Sequence, residues 1–396
     1  MRDLLGPGSV LGYCANVHAA HAFDDMMANL DRHAVAVRER LALDGPMGVG
    51  LWLPASVADE VERDRLAPRL RAFLEERGLL AFTINGFPFG DFHADRVKHA
   101  VYRPTWAEPA RLQYTLSLAR LLAELIPDDA EGSISTLPLG WPTDLPDGPA
   151  IEAAAANLRR LAEQLDDLER RTGRLVHVDL EPEPGCVLET SDDVAAFFDR
   201  RLYGRGVDDA VRRHLGVCHD VCHAAVMFEP QARAIDRYLA AGVSIGKVQL
   251  SAAVHAPFDA LDPAARRAAV DQLRRFDEPR YLHQTRTGPD EPLVDDLSEA
   301  LARIDPAGDD PPVTPWRVHF HVPLSLEGFG SLLTTRGEVV EALASLPTGG
   351  GRPRHFEAET YAWGVLPEAL KRPTLAEGIA DELAWVRDLA AGGGEG

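Results

Sequence analysis

Short runs in which apolar and polar residues alternate are separated by longer stretches with the 3.6-residue period of amphipathic helices. The strand-like runs are Leu11–His18, Met47–Leu53, Leu79–Gly86, Gly132–Leu137, Leu175–Glu181, Leu215–Asp220, Ile245–Ser251 and His355–Tyr361. Helix starts are marked between them. Glu108-Pro109 and Asp262-Pro263 put proline in a first turn, where its missing N–H does no harm, and Thr190-Ser191-Asp192-Asp193 offers a capping hydroxyl and acids at the positive helix end. Ala241-Gly242 closes the helix before Ile245. Strand and helix repeated in this way predict a parallel α/β fold.

The alternation also says how the sheet closes. In Leu175–Glu181, Val176, Val178 and Leu180 share one face, and Leu175, His177, Asp179 and Glu181 share the other. Val248 and Leu250 oppose Lys247, Gln249 and Ser251, and Phe356 and Ala358 oppose His355, Glu357, Glu359 and Tyr361. A sheet sandwiched between helix layers is apolar on both faces. An apolar outer face with a partly polar inner face instead suits a (β/α)8 TIM barrel. We expect one domain over residues 1–396, with residues 252–354 containing an insertion at the barrel mouth, between the seventh strand and the last. Within it the sequence suggests a helix at Pro263–Phe276, a short strand at Arg280–Gln284 and a polar loop at Gly288–Pro292. A second loop at Asp305–Pro315 then leads to the run Trp316–Leu324. The insertion serves as a lid or pocket wall, or alternatively supplies a barrel strand. The glycine-rich tail Ala391–Gly396 is expected to fray.

Hydrophobic residues make up 45% of the 396, enough for a large core. No apolar run approaches the ~20 residues of a membrane helix, and Met1–Gly8 lacks a signal peptide's apolar stretch. These features predict a cytoplasmic protein with no membrane insertion. A net charge of −21 repels phosphate backbones, so nucleic acid is not an expected partner. Cys14, Cys186, Cys218 and Cys222 have neither zinc-finger nor redox spacing. No Walker motif, complete dinucleotide fingerprint or Gly-x-Ser-x-Gly elbow is present.

Glu181, Asp220 and Glu359 each close a strand-like run. A parallel barrel brings those ends to one mouth, where gathered carboxylates make a divalent-metal site. Glu181 and Glu359 are the candidate catalytic pair: a metal polarises a carbonyl, one carboxylate removes a proton from the neighbouring carbon and another returns it. That chemistry is isomerisation or epimerisation of a sugar, cyclitol or related polyol. In Asp220-Val221-Cys222-His223, Asp220 is placed to ligate metal and His223 to face a substrate oxygen, while His219 has the opposite parity and packs beneath a helix. His319-Phe320-His321 offers two imidazoles suited to Zn, Mn, Fe or Co, or else a buried hydrogen-bonded pair. Asn85, His18, Lys247, Gln249 and His283 are further candidates near strand ends or loops, the first, second, third and fifth as substrate contacts.

These residues resemble the xylose isomerase-like superfamily of TIM barrels. Leu180-Glu181-Pro182, Asp220 to His223 and Glu359 match the metal-site pattern of its ketose epimerase branch. That resemblance places Gln249 where a metal histidine is expected, with His321 as a substitute ligand. More closely, the chain resembles the EboE "metabolite traffic" family, through Leu11–His18, Thr83–Gly90, Gly132–Thr136, Leu180–Pro184, Gly216–His223, Lys247–Ser251, Tyr281–Gln284 and His319–Pro323. The resemblance implies a place in a metabolite biosynthesis or export pathway, beside other proteins of that pathway. Two rival functions follow: a non-catalytic metabolite carrier or scaffold, and a metal-dependent small phosphoesterase.

Overall fold

The computed structural model describes residues 1–128, 130–304, 311–347 and 353–392. Its centre is a closed barrel of eight parallel strands: β1 Val10–Cys14, β2 Met47–Leu51, β3 Leu79–Asn85, β4 Glu131–Thr136, β5 Leu175–Leu180, β6 Leu215–Asp220, β7 Ile245–Leu250 and β8 His355–Ala358. Neighbours in sequence are neighbours in the barrel, and β1 pairs with β8 to close it. The expected (β/α)8 architecture is therefore the one observed. The helices start where the sequence marks them. Pro109–Leu125 and Pro263–Leu273 carry proline in the first turn, and the Asp262 carboxylate accepts from Ala264 N and Ala265 N. Thr190 and Asp193 form a capping box before Ser191–Phe197. Among the described residues no helix is long and apolar enough to cross a membrane.

The polar parity faces inward. Lys247 Nζ meets Glu357 Oε2 at 2.6 Å, both fully buried in the lumen. His177 Nδ1 lies 2.9 Å from Asp179 Oδ2 and its ring stacks on His355, whose Nδ1 is 2.8 Å from Ser133 Oγ. The opposite parity, Val176, Val178, Leu180, Val248, Leu250 and Phe356, belongs to the main hydrophobic core. His219 also points outward, with Nε2 2.8 Å from Gln231 Oε1 on helix Gln231–Ala240.

Charged side chains fit inside the barrel because the facing strands carry glycine. A Cβ on Gly50 would sit 1.4 Å from Glu357 Oε1, and one on Gly246 would sit 2.1 Å from Asp179 Oδ1. The Gly48-Val49-Gly50 run thus clears space for a carboxylate. Gly50→Ala is expected to destabilise the fold by about 1–3 kcal/mol, read as a lower guanidinium midpoint at unchanged slope. An unchanged midpoint would show that Glu357 moves aside freely.

The insertion contributes no barrel strand. Val254–Ala256, Thr285–Arg286, Leu293–Val294, Trp316–Val318, Gly328–Phe329 and Leu332–Thr334 form a separate six-stranded sheet. The expected strand at Arg280–Gln284 is irregular, and strand pairing starts only at Thr285. The reason lies in its backbone partners: Arg280 O accepts from Val97 N and Lys98 N, and Gln284 O accepts from His319 N. Much of the Asp305–Pro315 loop and the end of the glycine-rich tail, residues 305–310 and 393–396, lie outside the described residues. The helix Leu375–Gly392 runs up to that tail.

Candidate metal centre at the barrel mouth

Glu181 directly follows β5, and its N–H bonds to Thr136 O on β4. Asp220 ends β6 and caps the helix Val221–Val226, taking His223 N at 2.9 Å and Ser251 Oγ at 2.8 Å, both on Oδ1. Its Oδ2 is buried with no hydrogen-bond partner, as is Oε2 of Glu181. Glu359 directly follows β8. Asn16 Nδ2 and Asn85 Nδ2 donate to its Oε1 at 2.7 and 2.8 Å. One potential ligand oxygen from each of Glu181, Asp220 and Glu359 lies within 4.8 Å of the others.

Three imidazoles crowd the same floor. His223 Nδ1 is 2.8 Å from Pro182 O, His319 Nδ1 2.7 Å from Gln284 Oε1, and His321 Nδ1 2.7 Å from Glu359 O. A carbonyl oxygen only accepts, so each Nδ1 carries the proton and each Nε2 of a neutral ring presents a lone pair. His321 Nε2 is buried without a hydrogen-bond partner, 3.9 Å from Asp220 Oδ2. Asp220, His223 and His321 form a second candidate ligand group, and Glu183, His223 and His319 a third.

Burial and mutual repulsion set the charges. Burial, then Glu359 and Asp220, push the Glu181 carboxyl well above its usual range. Burial, then Asp220 and Glu357, push Glu359 up to about 8. Burial also pushes Asp220 up, but His223, His321 and its two hydrogen bonds outweigh that and hold it low. Burial lowers His321 to about 4 and puts His319 well below the ordinary histidine value. Glu181 and Glu359 held neutral, with His319 and His321 neutral beside an ionised Asp220, describe a site that gains by accepting a cation.

The pocket above this floor is lined by Asn16, Asn85, Glu181, Glu183, His223, His319, His321 and Glu359, under an apolar wall that includes Phe87, Phe92, Tyr102, Tyr281 and Tyr361. Of the residues singled out from sequence, Glu181, Asp220, Glu359, His223, His321 and Asn85 are brought together. Three are not. His18 lies past the end of β1, bonded to Tyr13 Oη and stacked on His33, because the chain turns away after Cys14. Lys247 sits lower in the lumen, held by Glu357. His283 stands behind His319, bonded to His319 O and Glu278 Oε1. Gln249 is fully buried in register with Asp220, and its amide atoms lack hydrogen-bond partners among the described residues.

Glu183, Asn16 and Gln284 escaped the sequence reading. Glu183 had a signal, two residues after Glu181 in a proline-stiffened run. Gln284 had none. Glu382, on the helix Leu375–Gly392, is a further buried acid. It accepts from Leu324 N at 3.0 Å, Trp363 Nε1 at 3.1 Å and the Thr360 hydroxyl, tying together the segments that carry His321 and Glu359. Burial pushes its carboxyl up to about 7.

Solved structures share this architecture. A xylose isomerase-like TIM barrel protein from Mycobacterium smegmatis in complex with magnesium is similar with a TM-score of 0.50 and 15% identity, over 97% of each chain. A xylose isomerase domain protein from Alicyclobacillus acidocaldarius subsp. acidocaldarius gives 0.46 and 13%, over 96% of this chain and 100% of its own. An IOLI protein with a bound zinc atom gives 0.46 and 10%, over 97% and 98%. No family model and no curated protein matches the chain. At such identities the likeness concerns the fold alone, the TIM barrel.

Proposed function

We propose that the protein is a metal-dependent isomerase or epimerase of a sugar, cyclitol or related polyol. The observation that carries this reading is the convergence of Glu181, Asp220 and Glu359 from three strand ends on one buried point, with unpartnered oxygens on the first two. Glu181, Asp220 and Glu359 would hold the cation, with His321 Nε2 beside Asp220. Zn, Mn, Fe and Co all suit a mixed carboxylate–imidazole set. When bound, such a cation polarises a substrate carbonyl and acidifies the adjacent C–H. Glu359 is the residue we assign to proton transfer, because two asparagine amides fix Oε1 and leave Oε2 without a hydrogen bond among the described residues. Glu181 faces it across the cation site as the second acid–base group. The aromatic wall excludes water from the reacting carbon. The phrases shared with the EboE family support a place in a metabolite biosynthesis or export pathway.

Two measurements test this. The purified protein, stripped and dialysed against Mn(II) or Zn(II), is expected to rebind the ion, and Glu181→Gln to weaken that binding by at least about a hundredfold. Incubation with sugars and cyclitols in deuterated water is expected to introduce solvent deuterium at carbon. Retained metal affinity in Glu181→Gln overturns the ligand assignment. Ligand binding without exchange moves the protein to the rival reading, a metabolite carrier, which Gln249 in place of a metal histidine favours.

A further inference from the structure

We propose that Glu183, His223 and His319 hold a second divalent cation, separate from the one assigned to Glu181, Asp220 and Glu359. His223 Nε2 and His319 Nε2 approach to 3.2 Å inside the barrel mouth. On its own that contact reads as a hydrogen bond, with one ring donating to the other. The far side of each ring removes that option. His223 Nδ1 must donate to Pro182 O, which has no proton to give. His319 Nδ1 faces Gln284 Oε1, and that oxygen is identified by the rest of the amide: Gln284 Nε2 donates to Pro184 O at 3.0 Å and to Glu183 Oε1 at 2.9 Å. Both neutral rings therefore turn a lone pair toward the other, an arrangement that repels unless a cation lies between them.

The spacing suits a metal ion. Two nitrogens 3.2 Å apart, each at the ~2.0–2.1 Å of a zinc–imidazole bond, subtend about 100° at the ion, close to tetrahedral. Glu183 supplies the third ligand, with one carboxylate oxygen within 4.8 Å of a ring nitrogen of each histidine. Its Oε1 is engaged by Tyr102 Oη at 2.7 Å and by Gln284, which leaves Oε2 for an ion. Gln284 thus orients two ligands at once, His319 through its oxygen and Glu183 through its nitrogen. Outer partners of this kind fix ring orientation and tautomer in metal sites. A proton shared between the two rings is the rival occupant of the gap.

The second site changes the role of His223, from a substrate contact to a ligand, and gives the insertion a chemical role through His319 and Gln284. It stands independently of the isomerase reading. Zn(II) titration of the stripped full-length protein tests it. Wild type is expected to bind two equivalents, and His319→Ala and Glu181→Gln one each. The imidazole 15N resonances of wild type provide a second reading that does not rest on the folding of His319→Ala: the Nε2 signals of His223 and His319 are expected to shift together on loading. Two equivalents retained in His319→Ala, a single equivalent that is lost in Glu181→Gln, or unmoved signals at saturation each overturn the proposal. One equivalent that leaves both imidazoles unmoved removes the second site alone. One equivalent that moves both, and survives Glu181→Gln, instead removes the ligand set of the proposed isomerase.

Discussion

Lys247→Met is expected to lower stability by about 3–5 kcal/mol, because it leaves Glu357 charged and uncompensated in the barrel lumen. Burial alone pushes the Lys247 ammonium toward neutrality, but Glu357 more than reverses that and keeps it charged. Neither group reaches water, so removing one partner forces the other to bury a charge or take up a proton. Removing both is a different perturbation. Lys247→Met combined with Glu357→Leu replaces an ion pair by apolar groups of similar reach, and such exchanges are often neutral. The double variant is therefore expected to recover most of the loss in urea unfolding. A single variant within about 1 kcal/mol of wild type would show that water enters the lumen and solvates Glu357.

Stripping the cation is expected to make stability fall as pH rises from about 7 to about 8, above the range in which His319 and His321, neutral when folded, take up protons on unfolding. Glu359 is held near 8 and Glu382 near 7, both above their ordinary range near 4.5. Between the unfolded and folded values, the folded chain keeps a proton that the unfolded chain has released. Their stabilising contribution is thus complete below the unfolded value and is lost as pH climbs through the folded one. Each group adds a slope of at most about 1.4 kcal/mol per pH unit. Cation binding favours ionised Glu359 and flattens its share of the slope, leaving that of Glu382. At an ion concentration near a thousand times the dissociation constant, loading contributes about 4 kcal/mol, or about 5 °C in Tm for a chain of this size. Calorimetry at pH 7, 7.5 and 8, with and without Zn(II), reads both effects. A metal-free protein that grows more stable from pH 7 to 8 would contradict the charge states assigned to this floor.

All eight barrel strands were legible in the sequence because the lumen is polar. Alternation such as Val176, Val178 and Leu180 against His177 and Asp179 exists only where one face meets helices and the other meets charge. Strand ends were less legible. The alternation in His355–Tyr361 runs past Ala358, the last paired residue, so Glu359 and Tyr361 were read as strand although they lie on the following loop. The same overreach at β1 carried His18 toward the mouth, whereas the chain turns into Ala15–Val17. Asp220 and His223 were readable together because a strand-to-helix turn with a capping aspartate is local. Gln284 was not, since its partners Glu183, Pro184 and His319 are distant in sequence and meet only when the insertion folds over the mouth.

The hold of Glu382 on Thr360, Trp363 and Leu324 has a consequence for synthesis. Strand β1 finds its second neighbour only when β8 is made, and the loop after β8 gains a further fastening when the helix Leu375–Gly392 follows. A chain cut before Leu375 therefore carries every proposed ligand yet lacks the clamp that sets Glu359 and His321. Cation capture waits on a segment that holds no ligand, and such a truncated chain is expected to bind Zn(II) far more weakly than the full one.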